Sequence, residues 1–482
     1  MINYLFIMPE IFITIIISIV ILVDIFLPKK HRIFSYYFIQ VSLLTCIYMI
    51  YYSLDFLQLS DSQIYDTGIF SNIFKLFILV SLVLIFYYTS NFLKFFDLYK
   101  SEYFIISLFA LLGMMIIISS EHFLLLYLGI ELTSLSLYSI IAFNKTSIFS
   151  SEAAVKYYIL GAISSGFLLF GISLIYGLTG SLFYHEIHQQ ISSLDLTVSQ
   201  ENIKIIGFIF ALTFIFISLA FKFGAAPFHM WIPDVYHGSL ITTTLFLSTI
   251  PKIAIFIVFI KLLSVVFSAL AIFWSDMIII LGVLSILIGN IVAISQINIK
   301  RMLAYSTIAN IGFILLAISV GTPESFKSAM FYTLAYVITT IAAFGLLSQL
   351  IYNKEPLEDI KSLNGLNQTH PIIAFLLMTI LLSYIGIPPF IGFHAKLFVI
   401  QSLVESNNFI LAIFVVLMTV VGSYYYLRVI KVMYFDDTDG KVKMTSPLYV
   451  STIFIFILIL FGIFPDLFGQ LSEYSISNLF NT

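Results

Sequence analysis

Residues 219–229 read Leu-Ala-Phe-Lys-Phe-Gly-Ala-Ala-Pro-Phe-His, a lysine, a glycine and a proline set into the end of a long apolar run. The run starts near Ile203 and suits a helix that crosses a bilayer, for which about 20 mostly apolar residues suffice. Gly224 and Pro227 interrupt that helix just after Lys222. An interrupted helix frees backbone carbonyls and amides inside the protein, where they can hold an ion or water. Residues 384–396 repeat the device as Tyr-Ile-Gly-Ile-Pro-Pro-Phe-Ile-Gly-Phe-His-Ala-Lys, with Gly386, Pro388, Pro389 and Gly392 ahead of Lys396.

The rest of the chain supplies the solvent for these breaks. Of 482 residues, 61% are hydrophobic and only 10% charged, against roughly 25% charged in a soluble domain. With a mean hydropathy of +1.08, the chain belongs in lipid, which excludes a water-soluble enzyme and a disordered chain. A net charge of -3 offers no basic footprint for nucleic acid. A lone cysteine, Cys46, excludes a disulfide framework and any CxxC metal or iron–sulfur site in this chain. No GxGxxG, GxxxxGK[ST] or HExxH motif is present, so no nucleotide, cofactor or metal site is expected.

Counting apolar windows long enough to span gives roughly fourteen, and none alternates as a barrel strand would. The fold class is therefore an all-α polytopic membrane protein of about 14 transmembrane helices, two of them broken. The first window lacks a basic start and runs straight into a second, unlike a cleaved signal peptide. Alternate loops share a side. One side collects lysines and arginines from Lys29, Lys30 and Arg32 through Lys145, Lys300, Arg301 and Lys354 to Lys443. The other holds Lys204, Lys327 and Lys261, with the acidic stretch Asp55–Asp66. The positive-inside rule then places both termini on the periplasmic or intermembrane-space side of an inner membrane. Lys222 falls in the seventh window and Lys396 in the twelfth, an odd separation, so the two segments run antiparallel as in an inverted repeat of five-helix units. The expected organisation is 1–102 for three N-terminal helices, 103–275 for a first half, 276–435 for an inverted second half, and 436–482 for a last helix.

Charged groups at bilayer depth cost at least about 2.5–3.5 kcal/mol each on insertion scales, so each needs a partner or a wet cavity. Glu131 sits mid-window in Leu-Tyr-Leu-Gly-Ile-Glu-Leu; its plain alternative is a helix–helix hydrogen bond. Lys222 stands at the first break and Lys396 beside the second, each with snorkelling as its alternative. Lys252 follows Pro251 in the eighth window, where a structural role would be to cap freed carbonyls. A buried lysine whose hold on its proton is controlled by a movable carboxylate is a switchable carrier, and Glu131 with Lys222 is the natural pair. The proton would then pass through Lys252 toward Lys396. Lys75 is expected to snorkel, and Glu10 and Asp24 to be interfacial. His229 and His237 flank Trp-Ile-Pro-Asp at the basic side, either as loop anchors or as a proton intake relay.

These segments resemble a known family. Residues 222–238, Lys-Phe-Gly-Ala-Ala-Pro-Phe-His-Met-Trp-Ile-Pro-Asp-Val-Tyr-His-Gly, and 246–256, Phe-Leu-Ser-Thr-Ile-Pro-Lys-Ile-Ala-Ile-Phe, resemble subunit N (mitochondrial subunit 2) of respiratory complex I, NADH:quinone oxidoreductase. Residues 152–162, 299–306, 359–366 and 383–396 support the match, which covers essentially the whole chain. The resemblance implies the antiporter-like fold and a proton-pumping role driven by quinone reduction elsewhere in the complex. It puts the key carboxylate on Glu131, the central lysines on Lys222 and Lys252, the exit-side lysine on Lys396 and a further lysine on Lys156. It implies that NADH, FMN, iron–sulfur clusters and quinone are bound by other subunits. The implied partners are antiporter-like neighbours, small membrane subunits and the lipid bilayer. Two departures stand out. Ser239-Leu-Ile-Thr replaces a Pro-rich stretch, and Asn310 stands where the family often has histidine; Tyr305 or water would have to serve there. A subunit of a multi-subunit cation/proton antiporter is the alternative within the same fold, and a non-conducting membrane scaffold the alternative outside it.

Overall fold

The computed structural model of the chain describes residues 7–28, 32–53, 64–194, 202–438, 440–467, 469–470 and 472–473. Lys29, Lys30, Asp55 and Asp61, which count toward the charge asymmetry, lie outside the described residues. The chain opens with α1 (Met8–Phe26), α2 (Ile33–Ser53) and α3 (Ile69–Phe95). Next come α4 (Ser101–Ser119), α5 (Phe123–Ile141), α6 (Ile148–Thr179) and the short α7 (Tyr184–Ser192). The first break separates α8 (Asn202–Phe223) from α9 (Trp231–Gly238), and α10 (Ile241–Lys261) follows. Then come α11 (Ala271–Ile294), α12 (Ile299–Ser319), α13 (Pro323–Ser348) and the one-turn α14 (Leu366–Thr369). The second break separates α15 (Pro371–Ile385) from α16 (Ile391–Glu405), ahead of α17 (Phe409–Phe435) and α18 (Tyr449–Ile463).

Twelve of the described helices are long and apolar enough to cross a membrane, and α15 and α18 are shorter apolar ones. The second expected break is present: residues 371–405 form two helices, divided at Gly386. The connection after Gly180 contains α7, whose Ile187 and Ile191 are buried. A three-stranded antiparallel patch, order β2-β1-β3, ties β1 (Leu350–Tyr352) to β2 (Glu355–Pro356) and β3 (Val442–Met444).

The elements do not share the interior evenly. The apolar window of α13 is 100% buried and that of α12 94%, whereas only 28% of that of α17 is covered. Glycines let two helix pairs approach closely. A Cβ on Gly113 of α4 would lie 2.8 Å from the carbonyl of Gly129 on α5; one on Gly312 of α12 would lie 2.7 Å from the carbonyl of Gly282 on α11. Small residues let membrane helices approach backbone to backbone, which supplies the packing that lipid cannot.

One placement corrects an expectation. Lys75 does not snorkel: it is buried on α3 and meets Glu10 of α1 at 2.7 Å. Glu10 and Asp24 lie near the two ends of α1, as expected, but are covered by the protein, being 4% and 8% exposed, and the Asp24 carboxylate accepts a hydrogen bond from Ser35 on α2. In each case a partner on a neighbouring helix meets the charged group.

Candidate functional site

At the first break α8 ends at Phe223, and Gly224 turns the chain with φ +89°, a left-handed conformation that a side chain resists. The amides of Gly224 and Ala225 both fold back onto the Ala220 carbonyl, at 2.7 and 2.8 Å. Lys252, 1% exposed on α10, donates to the Phe223 carbonyl at 2.7 Å and reaches the Lys222 carbonyl at 3.4 Å. Its ammonium also lies 5.0 Å above the Trp231 ring. That ring is fixed by its own indole N–H, which donates to the Phe221 carbonyl at 2.8 Å. Ser285 of α11 accepts the Ala226 amide at 2.8 Å, so a helix from the second region helps hold the turn open.

Lys222 is 7% exposed and donates to Ser134 Oγ on α5 at 2.6 Å. Glu131 lies one turn earlier on the same helix, half-buried, with its Oε1 buried and without a hydrogen-bond partner. The expected Glu131–Lys222 pair is therefore not in direct contact. Ser134 takes the ammonium, while the Glu131 carboxylate acts on it through space.

The second break is built the same way. Gly386, φ +87°, ends α15 by returning its amide to the Leu382 carbonyl at 3.1 Å. The Lys396 ammonium donates to the carbonyls of Tyr384 and Ile385, both at 2.9 Å, and sits 5.4 Å from the Phe313 ring. A small cavity beside it is lined by Asn290, Asn310, Tyr384, Tyr425 and Tyr426, among others.

Buried hydroxyls occupy the space between the breaks. The Tyr384 hydroxyl donates to Thr340 at 2.9 Å, and Thr340 donates to the Tyr336 carbonyl at 2.7 Å. The Tyr336 hydroxyl donates to Thr307 at 2.9 Å and lies 3.3 Å from the Ser248 carbonyl, one turn before Lys252 on α10. Asn310 accepts from Tyr332 at 2.7 Å; Tyr332, rather than Tyr305, is the phenol that meets it. Tyrosine content alone does not single these residues out from those that pack helices. The missed signal was Tyr332, Tyr336 and Thr340, one turn apart on α13.

At the lysine-rich face the remaining candidates form a separate group. Lys156 stays near the surface, 2.8 Å from Glu152 and 3.0 Å from Asp234, and is not brought to Lys222. Arg301 of α12 also binds Asp234 at 3.0 Å, and Lys300 pairs with Glu358 at 2.7 Å while donating to the His237 carbonyl at 2.8 Å. Burial tends to raise the Asp234 carboxyl, but Lys156 and Arg301 together hold it below the ordinary aspartate range. Burial, then the Lys300 charge, push the His237 imidazole below its usual value, and Glu358 opposes them. His229 lies half-buried between the break and α9, its Nδ1 buried with no hydrogen-bond partner. No group of three or more His, Cys, Asp or Glu able to hold a metal occurs among the described residues.

A model of the NADH:quinone oxidoreductase/Mrp antiporter transmembrane family matches residues 120–422. NADH-quinone oxidoreductase subunit N of Thioalkalivibrio sulfidiphilus is 40% identical over 475 residues, covering 98% of each chain. The subunit N of Ruthia magnifica is 40% identical over 96% of each. Among solved structures, a chain of respiratory complex I from Thermus thermophilus superposes with a TM-score of 0.79 at 25% identity, over 96% of this chain and 99% of that one. A chain of an Mrp complex from Dietzia sp. shares the fold, TM-score 0.82 at 18% identity, over 99% and 98%.

Proposed function

The chain belongs to the NADH-quinone oxidoreductase subunit N family, the antiporter-like membrane subunits of complex I, and from that premise we propose that its protons travel by Glu131, Lys222, Lys252 and Lys396. It is a multi-pass membrane protein, part of a multi-subunit respiratory complex, and a proton-translocation module with buried charged residues. The observation that carries the residue assignment is the shared construction of the two breaks. In each, the last two carbonyls of a helix that ends at a left-handed glycine are received by one buried ammonium. An ammonium has three donor hydrogens. Two face carbonyls, which leaves one for an incoming water or hydroxyl, with an aromatic face against the charge.

In this reading Glu131 sets the charge balance at Lys222 across Ser134. Lys252 receives the proton at the first break, and the hydroxyls of Tyr336, Thr307, Tyr384 and Thr340 line the way to Lys396. The lysine-rich face, with Asp234, Lys156, His229 and His237, is the intake side, and both termini lie opposite it. Fourteen crossings, counting α15–α16 as one broken helix, divide into two inverted units, residues 103–275 and 276–435, flanked by 1–102 and 436–482. Antiporter-like and small membrane subunits are the neighbours, and NADH, FMN, iron–sulfur clusters and quinone are handled by other subunits. The test is Lys222→Met and Lys252→Met in the assembled complex, measured as protons moved per NADH oxidised. A loss of pumping is expected. Full pumping by both variants, with intact assembly, would leave the chain a scaffold.

A further inference from the structure

The three helices ahead of the first break hold a second buried acid–base pair. Glu10 of α1 and Lys75 of α3 meet at 2.7 Å with side chains 5% and 1% exposed. A buried ion pair stabilises little or not at all relative to apolar side chains of the same volume, so holding helices together does not explain it. Two features indicate another use. The Glu10 carboxylate is hydrogen-bonded to the Tyr65 side chain as well as paired with Lys75, so both members of the pair meet one phenol. Lys75 also meets the buried Tyr65: its ammonium lies 3.4 Å from the Tyr65 hydroxyl and 4.9 Å from the ring centroid.

Tyr65 sits in a short bridge paired with Ser120, where successive side chains point to opposite sides. Tyr65 faces Lys75, and the next residue, Asp66, faces Lys261 at 2.7 Å. Lys261 is shared with Glu121 at 2.8 Å, and these two carboxylates are 22% and 27% exposed. The pair is thus one residue removed from a wet charge cluster at the face where α1 begins. Lys261 closes α10, the helix that carries Lys252.

We propose that Glu10 and Lys75 form a second proton-binding site, exchanging with water at the face where α1 begins by way of Tyr65. Its two states are the neutral pair, carboxylate with ammonium, and a loaded form in which one proton from water is bound at the Glu10 carboxylate while Lys75 keeps its own. The Tyr65 hydroxyl passes one proton on and takes one back, so nothing else is consumed. The groups that face the site are Cys46 from α2, Lys75 from α3, Tyr65 and Asp66 from the bridge, and Ser119 at the end of α4. This rests on the chain translocating protons, not on which central residues carry them.

Two measurements on the intact complex test it. Dicyclohexylcarbodiimide, which enters membranes and reacts with protonated carboxyls, is applied to vesicles while the pH of one face is lowered, and Glu10 labelling is read by peptide mass. Labelling that rises when the face where α1 begins is acidified is the expected result. No labelling at any pH, or a rise only on acidifying the lysine-rich face, overturns the proposal. In the second, the double variant Glu10→Gln with Lys75→Met keeps volume and removes both charges. Pumping per NADH should fall several-fold in the assembled enzyme, and wild-type pumping overturns the proposal. If that variant fails to assemble, the labelling of the unaltered complex decides. Lys252→Met, measured alongside, separates failure of this site from failure of the central line.

Discussion

The two helix breaks use one device with different suppliers. At the first, the lysine that receives the loose carbonyls comes from the next membrane helix, α10, while the lysine on the broken helix itself, Lys222, turns to Ser134 on α5. At the second, Lys396 comes from the far limb of the same broken helix. By geometry Lys252 is therefore the counterpart of Lys396, although the sequence pattern sets Lys222 against Lys396. At the first break the carbonyls are received by a lysine from another helix, and at the second by one from the same broken helix. Perturbation should consequently spread further from the first.

The largest expected effect comes from removing the receiving ammonium. Lys252→Met and Lys396→Met each strand two buried carbonyls, at about 1–3 kcal/mol per unsatisfied group. Both should abolish most pumping, measured as protons moved per NADH oxidised. Equal full activity in either variant breaks the equivalence of the two lysines. Next come the turning glycines. Gly224→Ala and Gly386→Ala both force a side chain into left-handed backbone, at roughly 1–2 kcal/mol. The added Cβ would lie 2.0 Å from Ile232 Cδ1 in the first and 3.0 Å from Lys396 Cδ in the second. A flexible lysine stem yields more readily than the fully buried Ile232, so Gly224→Ala should lower the melting temperature of the complex more. The reverse order would show the first break to be the softer one.

Smaller effects test the space between. Tyr384→Phe and Tyr336→Phe each remove one hydroxyl hydrogen bond, about 1 kcal/mol. They should slow pumping while leaving assembly intact, as judged by complex migration and NADH oxidation. The least effect is expected at the lysine-rich face. Arg301→Gln loses a half-exposed pair with Asp234 and should cost no more than about 1 kcal/mol. Because the Asp234 carboxyl is held low, the pair's contribution is present above the ordinary aspartate range and is lost only as pH falls through the depressed value. The stability gap between wild type and Arg301→Gln should thus persist through mild acidification and close only in stronger acid, read by thermal melts across pH.

Much of this was legible beforehand because the signals are local. Gly224 and Gly386 mark their breaks by residue type alone, and Lys252 beside Pro251 reads as a carbonyl cap from sequence. What failed was pairing. Lys75 and Glu10 each sit near a window end, where snorkelling is the simplest answer, yet they meet across two helices 65 residues apart in sequence. For Lys222 the charge partner was legible and the hydrogen-bond partner was not: Glu131 is the carboxylate that acts on it, but its ammonium donates to Ser134, which no charge count would notice.

The sequence by itself determined that the chain lives in lipid, where its apolar segments run, where two of them break and which ionisable groups are stranded at depth. Each of these follows from the transfer cost of residues read a few at a time. Only the tertiary structure decided which helices are central. The window of α1 is more apolar than that of α13, with mean hydropathy 2.4 against 1.8, yet 33% of the first is buried and 100% of the second. Lipid tails and packed side chains are nearly the same solvent to a leucine, so hydropathy cannot tell them apart. Partners for buried charges are likewise set by which helices touch, and that is a property of the assembled bundle.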